Sequence, residues 1–267
     1  MARPTGTPES DEYWRRFLTE GDPLERAGRR FFRWLPHGPR CGLCLAPFAG
    51  PGAPLMRAIG KRPSTQSPTV CTSCFTHLRD HRGGAEIEMS LLFADIRGST
   101  TIAEGMAPGT YRALLDRFYG SAAEAVFGAD GAIDKFVGDE VVAFFVPAFL
   151  SDRAAHAPRA VAAARKLLEL TGHDRPDGPW VPIGAGVHTG TAWMGTVGEG
   201  DAVELTAVGD AVNVAARLAS LAQAGEVLVS TDAATAAGLD PSLPRRSLNL
   251  KGKSEPVDAI TLSVQRR

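Results

Sequence analysis

Residues 132–146 read AIDKFVGDEVVAFFV. Two runs rich in β-branched and aromatic residues, 132–137 and 140–146, meet at the turn-forming pair Gly138-Asp139, which predicts a β-hairpin. Upstream, EMSLLFADI (88–96) is a nearly unbroken apolar run and predicts a buried strand, while YRALLDRFYGSAAEAVF (111–127) repeats its apolar residues at helical spacing. Downstream, AAHAPRAVAAARKLLEL (154–170) predicts a helix with Pro158 in its first turns, and VPIGAGVHTG (181–190) predicts a strand. The order β-α-β-β-α-β predicts an α+β fold with a ferredoxin-like core. A strand near 191–197, a helix over 211–221, the strand EVLVS (226–230) and a closing pair near 248–251 and 257–264 predict a C-terminal extension.

This order has a geometric consequence. In the split β-α-β layout the first and third strands are antiparallel neighbours, so the end of the first strand lies beside the hairpin. Asp95 and Asp139 are therefore expected to converge at one sheet edge. Two carboxylates there suit hard divalent cations such as Mg²⁺, and two such ions support phosphoryl transfer. Taken alone, the two aspartates are better explained by turn chemistry, Asp95 in DIRGST and Asp139 in VGDE. Asn213 and Arg217 lie four apart on the 211–221 helix and share a face. A guanidinium there could neutralise charge growing on phosphorus, or the pair could simply be a solvated face. Lysines number five against 24 arginines, and Lys135 and Lys251 are two of the five.

All four cysteines fall in two CxxC pairs, Cys41/Cys44 and Cys71/Cys74. This spacing is the signature of a four-thiolate metal site. Zinc in a structural role is the expectation, with an iron–sulfur centre or a redox dithiol as alternatives. Residues 10–20 and 23–35 predict two helices, the first capped by Ser10 and the second opened by Asp22-Pro23. The second carries Phe31, Phe32, Trp34 and Leu35 among arginines, a face suited to a membrane surface or to packing on the neighbouring module. Residues 80–85 (DHRGGA) read as a linker. The expected division is an N-terminal helical segment (1–36), a cysteine module (37–84) and a larger domain (85–267).

Composition bounds the rest. The 267 residues are 44% hydrophobic and 22% charged, with a formal net charge of −1. Residues 1–83 hold 13 Lys and Arg against 7 Asp and Glu, a net of +6, and residues 84–267 hold 16 against 23, a net of −7. The basic first third could meet an anionic partner or the acidic remainder. The longest apolar run, 141–150, is too short to span a bilayer and contains Pro147. The start, MARPTGTPES, has no signal-peptide core. An integral membrane protein, a fibrous chain and a secreted disulfide scaffold are excluded, and a cytoplasmic location is expected.

FADIRGST (93–100), DKFVGDEVVAFF (134–145), TAVGDAVNVAARL (206–218) and LKGK (250–253) occur in this order in one chain. With these motifs, residues 86–264 resemble the class III nucleotide cyclases, the catalytic domain of adenylate and guanylate cyclases. The resemblance implies that Asp95, the Ile96 carbonyl and Asp139 hold two Mg²⁺ or Mn²⁺ ions. It implies that Lys135 and Thr206 read the purine, that Asn213 and Arg217 orient the ribose and stabilise the transition state, and that Lys251 holds the terminal phosphates. Lysine donates and a threonine hydroxyl can accept, a polarity that suits adenine. The guanylate cyclases of the family have an acidic residue at the lysine position. The implied activity is conversion of ATP to 3′,5′-cyclic AMP and pyrophosphate, within a head-to-tail homodimer whose two protomers share each site. Ser99 stands where the family has phenylalanine, and Leu205 where an aromatic residue is common. The competing expectations are a guanylate or mixed-specificity cyclase, and a zinc-ribbon nucleic-acid-binding protein with a non-catalytic cyclase-like dimerisation domain. Against the latter, the metal, base, ribose and phosphate positions retain capable residues, so nucleic acid is not the expected partner.

Overall fold

A computed structural model describes residues 8–35, 38–199, 202–249 and 256–264. The described elements run α1 (Pro8–Thr19), α2 (Pro23–Trp34), α3 (Ala53–Ala58), α4 (Thr72–Asp80), β1 (Gly84–Ile96), α5 (Ser99–Glu104), α6 (Pro108–Gly128), β2 (Ala132–Val137) and β3 (Glu140–Phe145). They continue as α7 (His156–Leu170), β4 (Ile183–Val197), β5 (Glu204–Val208), α8 (Asp210–Leu221), β6 (Glu226–Ser230), α9 (Thr231–Ala236), β7 (Arg245–Leu248) and β8 (Val257–Ser263). The chain divides into two compact units. One comprises residues 1–87, 146–153 and 191–209, and the other 88–145, 154–190 and 210–267.

The second unit holds the expected core. Its strands lie in the order β2-β3-β1-β4-β6-β8-β7, and the first four positions reproduce the ferredoxin-like arrangement. β1 pairs antiparallel with β3, in a register running from Ser90 opposite Phe145 to Asp95 opposite Glu140. The hairpin between β2 and β3 turns at Gly138, whose φ of +61° lies in the left-handed region that glycine enters freely. Val141 to Phe145 are all buried, so the strand reads as a continuous apolar run rather than an alternation. β4 runs parallel to β6, and β6, β8 and β7 complete the extension as antiparallel neighbours.

α8 packs on this sheet with Ala211, Val214, Ala215, Leu218 and Ala219 buried, the 3-4 spacing of one helical face. The approach is close: a Cβ on Gly186 of β4 would stand 2.2 Å from the Ala219 backbone nitrogen and 2.6 Å from the Ala215 carbonyl oxygen. Asn213 is exposed and Arg217 half-buried, off the packed face.

The first unit is more regular than its sequence predicts. Asp22 caps α2, accepting from the Leu24 and Glu25 N–H groups (2.8 and 3.1 Å). α1 starts at Pro8 rather than at Ser10, since proline suits a first helical turn, and the Ser10 hydroxyl instead donates to the Arg82 carbonyl (3.1 Å). Part of the aromatic and basic face of α2 packs inward, with Arg29 over the Phe149 ring at 4.9 Å and Phe32 on the cysteine cluster, while Phe31 is exposed. Residues 80–85 are not a linker. The Gly83 N–H donates to Thr196 Oγ1 (3.0 Å), the Thr196 N–H donates to the Gly83 carbonyl (2.8 Å), and a Cβ on Gly84 would meet the Trp193 ring at 2.4 Å.

Other boundaries differ for physical reasons. The segments read as two strands, 181–190 and 191–197, form one strand, because Gly190 continues extended without a turn. β5 pairs with β4, Trp193 opposite Val208 and Gly195 opposite Thr206. β7 lies at Arg245–Leu248, upstream of the expected 248–251, with Arg246 paired to Glu226 (2.8 Å). No helix among the described residues is long and apolar enough to cross a membrane.

The Gly186 contact yields a test. Gly186→Ala is expected to lower unfolding stability by about 2 kcal/mol or more, read from the urea midpoint, because the helix must lift from the sheet. Gly120→Ala, in mid-α6 with nothing within 4 Å of the new Cβ, is expected to raise it by about 0.5–1 kcal/mol.

Candidate functional site

Asp95 and Ile96 end β1, and Asp139 lies in the turn that starts β3. The register sets Asp95 opposite Glu140, and the Ile96 N–H donates to the Asp139 carbonyl at 3.2 Å. The expected convergence is therefore present in the backbone. Glu140 adds a third carboxyl. Burial raises its pKa, and the neighbouring Asp139 raises it further against the opposing pull of Arg97. Tyr119 donates to the Gly138 carbonyl and stacks on Phe136 at 4.2 Å, bracing the hairpin turn.

The guanidinium that meets these acids is that of Arg97. Arg97 pairs with Asp95, and it donates to the Ser220 and Ala219 carbonyls of α8 at 3.0 and 2.9 Å. Burial lowers its pKa, opposed by the charges of Asp139 and Glu140. Asp95 Oδ1 is buried and has no aligned hydrogen-bond partner among the described residues. A buried carboxylate oxygen in that condition fits a hard-cation ligand, and Asp139 and the Ile96 carbonyl are oxygen donors of the same kind.

The other expected residues are distributed as follows. Lys135 is on β2 opposite Val142, next to a bulge, with Nζ 3.6 Å from Asp134 Oδ2. Thr206 is half-buried on β5 in the first unit, opposite Gly195. Asn213 and Arg217 are both on α8 in the second unit. Lys251 lies outside the described residues. Arg97 and Glu140 are not singled out by the sequence because one stands between Ile96 and Gly98 of the first motif and the other reads as the opening of a strand. The signal available was their adjacency to Ile96 and Asp139.

The cysteines form a second candidate centre. Their four sulfurs lie within 4.8 Å of one another, with Cys44 and Cys71 Sγ 3.8 Å apart. A tetrahedral site with metal–sulfur bonds of about 2.3 Å has edges of about 3.8 Å. Two local turns create the arrangement. Leu45, at φ +62°, folds the chain back so that its N–H donates to the Cys41 carbonyl (3.0 Å), and Cys71 caps α4 one turn before Cys74. The Cys71 N–H also donates to Cys41 Sγ (3.2 Å). Burial disfavours the Cys41 thiolate, but hydrogen bonds from Cys44, Cys71 and Cys74 outweigh it and hold its pKa well below the ordinary thiol value. Cys44 and Cys74 are pushed up in turn. The cluster can therefore hold a metal in place of its thiol protons.

The profile of the adenylate and guanylate cyclase catalytic domain matches residues 85–258. Among characterised relatives, adenylate cyclase 1 of Rhizobium meliloti (strain 1021) is 39% identical over 134 residues, 49% of this chain and 20% of that protein. The adenylate cyclase of Anabaena cylindrica is 34% identical over 178 residues, 63% of this chain and 35% of that protein. The aligned part thus spans about a fifth to a third of these relatives. Among solved structures, the adenylyl cyclase CyaB from P. aeruginosa superposes with a TM-score of 0.59 at 28% identity, covering 69% of this chain and 97% of that one. The guanylyl cyclase Cya2 superposes with a TM-score of 0.58 at 26% identity, covering 67% and 92%.

The cysteine geometry makes a direct prediction. Elemental analysis is expected to find one thiolate-bound metal ion per chain in the purified protein. Cys41→Ser should abolish this stoichiometry and lower Tm by about 5 °C or more, since the buried cluster loses its cross-link.

Proposed function

The chain belongs to the adenylate and guanylate cyclase catalytic-domain family, and from that premise we propose that it is an adenylate cyclase making 3′,5′-cyclic AMP and pyrophosphate from ATP. The observation that carries the reading is the β1–β3 register, which brings the end of Asp95-Ile96 against Asp139. Asp95, the Ile96 carbonyl and Asp139 are the proposed ligands of two Mg²⁺ or Mn²⁺ ions. Such ions, when bound, lower the pKa of the ribose 3′-hydroxyl and neutralise phosphate charge.

The chain's own side chains do the remaining work. Lys135 donates to adenine N1 and Thr206 accepts from the N6 amino group, a polarity that guanine reverses. Asn213 orients the ribose. Arg217 places a fixed guanidinium where charge grows on the α-phosphorus, and Lys251 holds the terminal phosphates. The 3′-oxygen forms the new bond to the α-phosphorus, the α–β bridge bond breaks, pyrophosphate leaves with the electron pair, and the 3′ proton passes to solvent. In the proposed head-to-tail homodimer one protomer supplies Asp95 and Asp139, and the other supplies Lys135, Thr206, Asn213, Arg217 and Lys251. Residues 85–267 are the proposed catalytic domain. Residues 37–84 are a structural zinc module on Cys41, Cys44, Cys71 and Cys74, and residues 1–36 a helical segment. Reduced paired thiols suit a cytoplasmic location.

A product assay tests this reading. Purified protein with Mn²⁺ is expected to convert ATP to cyclic AMP and to turn over GTP more slowly. Asp95→Ala and Arg217→Ala are each expected to lower kcat by about 10²–10³-fold, and mixing the two should restore one intact site per mixed dimer. Preferred turnover of GTP would make the protein a guanylate cyclase. A salt-sensitive nucleic-acid complex without nucleotide turnover would make it a binding protein.

A further inference from the structure

Arg97 is the residue that the proposed chemistry leaves unused. It follows the Asp95-Ile96 pair and points its charge back at them. Its two terminal nitrogens reach the last carbonyls of α8, Ala219 and Ser220, and one of them also meets the Asp95 carboxylate. The negative groups around it come from three elements: Asp95 from β1, Asp139 and Glu140 from the β2–β3 hairpin, and the C-terminal carbonyls of α8. The contact with Asp95 is a close ion pair. Neither Asp95 Oδ1 nor Arg97 Nε has an aligned hydrogen-bond partner among the described residues. The bonds to α8 are well formed, and the backbone N–H of Arg97 is fixed by the Pro182 carbonyl (2.8 Å). The guanidinium is therefore anchored on α8 and paired with the acid at the same time.

We propose that Arg97 is a positioning residue that acts as a resident counter-cation: it holds Asp95 in place while the acid site has no divalent ion, and it is displaced from Asp95 when one binds. This rests on the reading of Asp95 and Asp139 as cation ligands. A guanidinium and a divalent ion at one carboxylate oxygen repel each other, so the two compete for Asp95. The competition sets the cation concentration at which the site fills. Because the same guanidinium grips the end of α8, the exchange also ties the cation site to the helix that carries Asn213 and Arg217.

The test is direct Mn²⁺ binding to the full chain, followed by the electron paramagnetic resonance of free Mn²⁺ without nucleotide. The four-thiolate cluster is a poor host for this oxygen-seeking ion. Arg97→Gln keeps an amide donor for the α8 carbonyls and removes the charge. It is expected to tighten Mn²⁺ binding about three- to tenfold and to enlarge the Tm gain on adding Mn²⁺. Arg97→Lys keeps the charge and is expected to stay within twofold of the parent. Weaker binding in Arg97→Gln would overturn the proposal by making Arg97 a support for the bound ion, and unchanged binding would reduce it to a helix tie. If Arg97→Gln does not fold, Arg97→Lys and Arg97→Met supply the same charge comparison. If the parent chain takes up no Mn²⁺, or if Asp139→Asn leaves uptake intact, the cation-site reading itself fails and the proposal falls with it. A shift absent in a parent that does bind Mn²⁺ sinks only the role of Arg97.

Discussion

The antiparallel pairing of β1 with β3 is the constraint from which the proposed chemistry follows. Six consecutive cross-strand pairs, from Ser90–Phe145 to Asp95–Glu140, fix this register. A slip of one residue would exchange the two buried faces of the Val141–Phe145 run and misfit the packing on both sides of the sheet. Burial of these side chains, about 1.5–3 kcal/mol for each large one, holds the register far more firmly than any polar contact at its end. The acid site is thus a by-product of core packing. Its carboxylates are brought together by apolar residues that lie behind them, and the resulting repulsion is offset locally by Arg97.

The same economy governs α8. Five buried small or aliphatic residues seat it on the sheet, and Gly186 removes a Cβ that would keep it away. Asn213 and Arg217 are left off that face, which suits the shared role proposed for them. Arg97 closes the assembly by bonding the carbonyls at the helix end. The first unit follows a different principle. Its small core is organised by four cysteines together with Phe32, Phe48 and Met56, and a core of that size gains much from a metal cross-link.

Much of this was legible in the amino-acid sequence because the deciding signals are local. The hairpin at Gly138-Asp139, the 3-4 spacing of α8 and the two CxxC pairs each lie within a dozen residues. The family resemblance is confirmed by the match over residues 85–258. What escaped depends on contacts distant in sequence. Gly83 and Gly84 read as a linker because glycines look flexible until Trp193 and Thr196 are seen packed on them, more than 100 positions away. β5 is hidden because Glu204–Val208 is short and Gly190 makes its partner strand read as two. Arg97 carries no signal in the sequence because its partners Ala219 and Ser220 come from another part of the chain.

The central claim is that Asp95 and Asp139 form one cation site. Anomalous diffraction from crystals grown with Mn²⁺ and a non-cyclisable ATP analogue tests it most directly. The account predicts manganese peaks about 2.1–2.2 Å from carboxylate oxygens of both aspartates, with the triphosphate against them. Peaks bound to only one of the two, or carboxylates turned to separate faces with the nucleotide elsewhere, would contradict it.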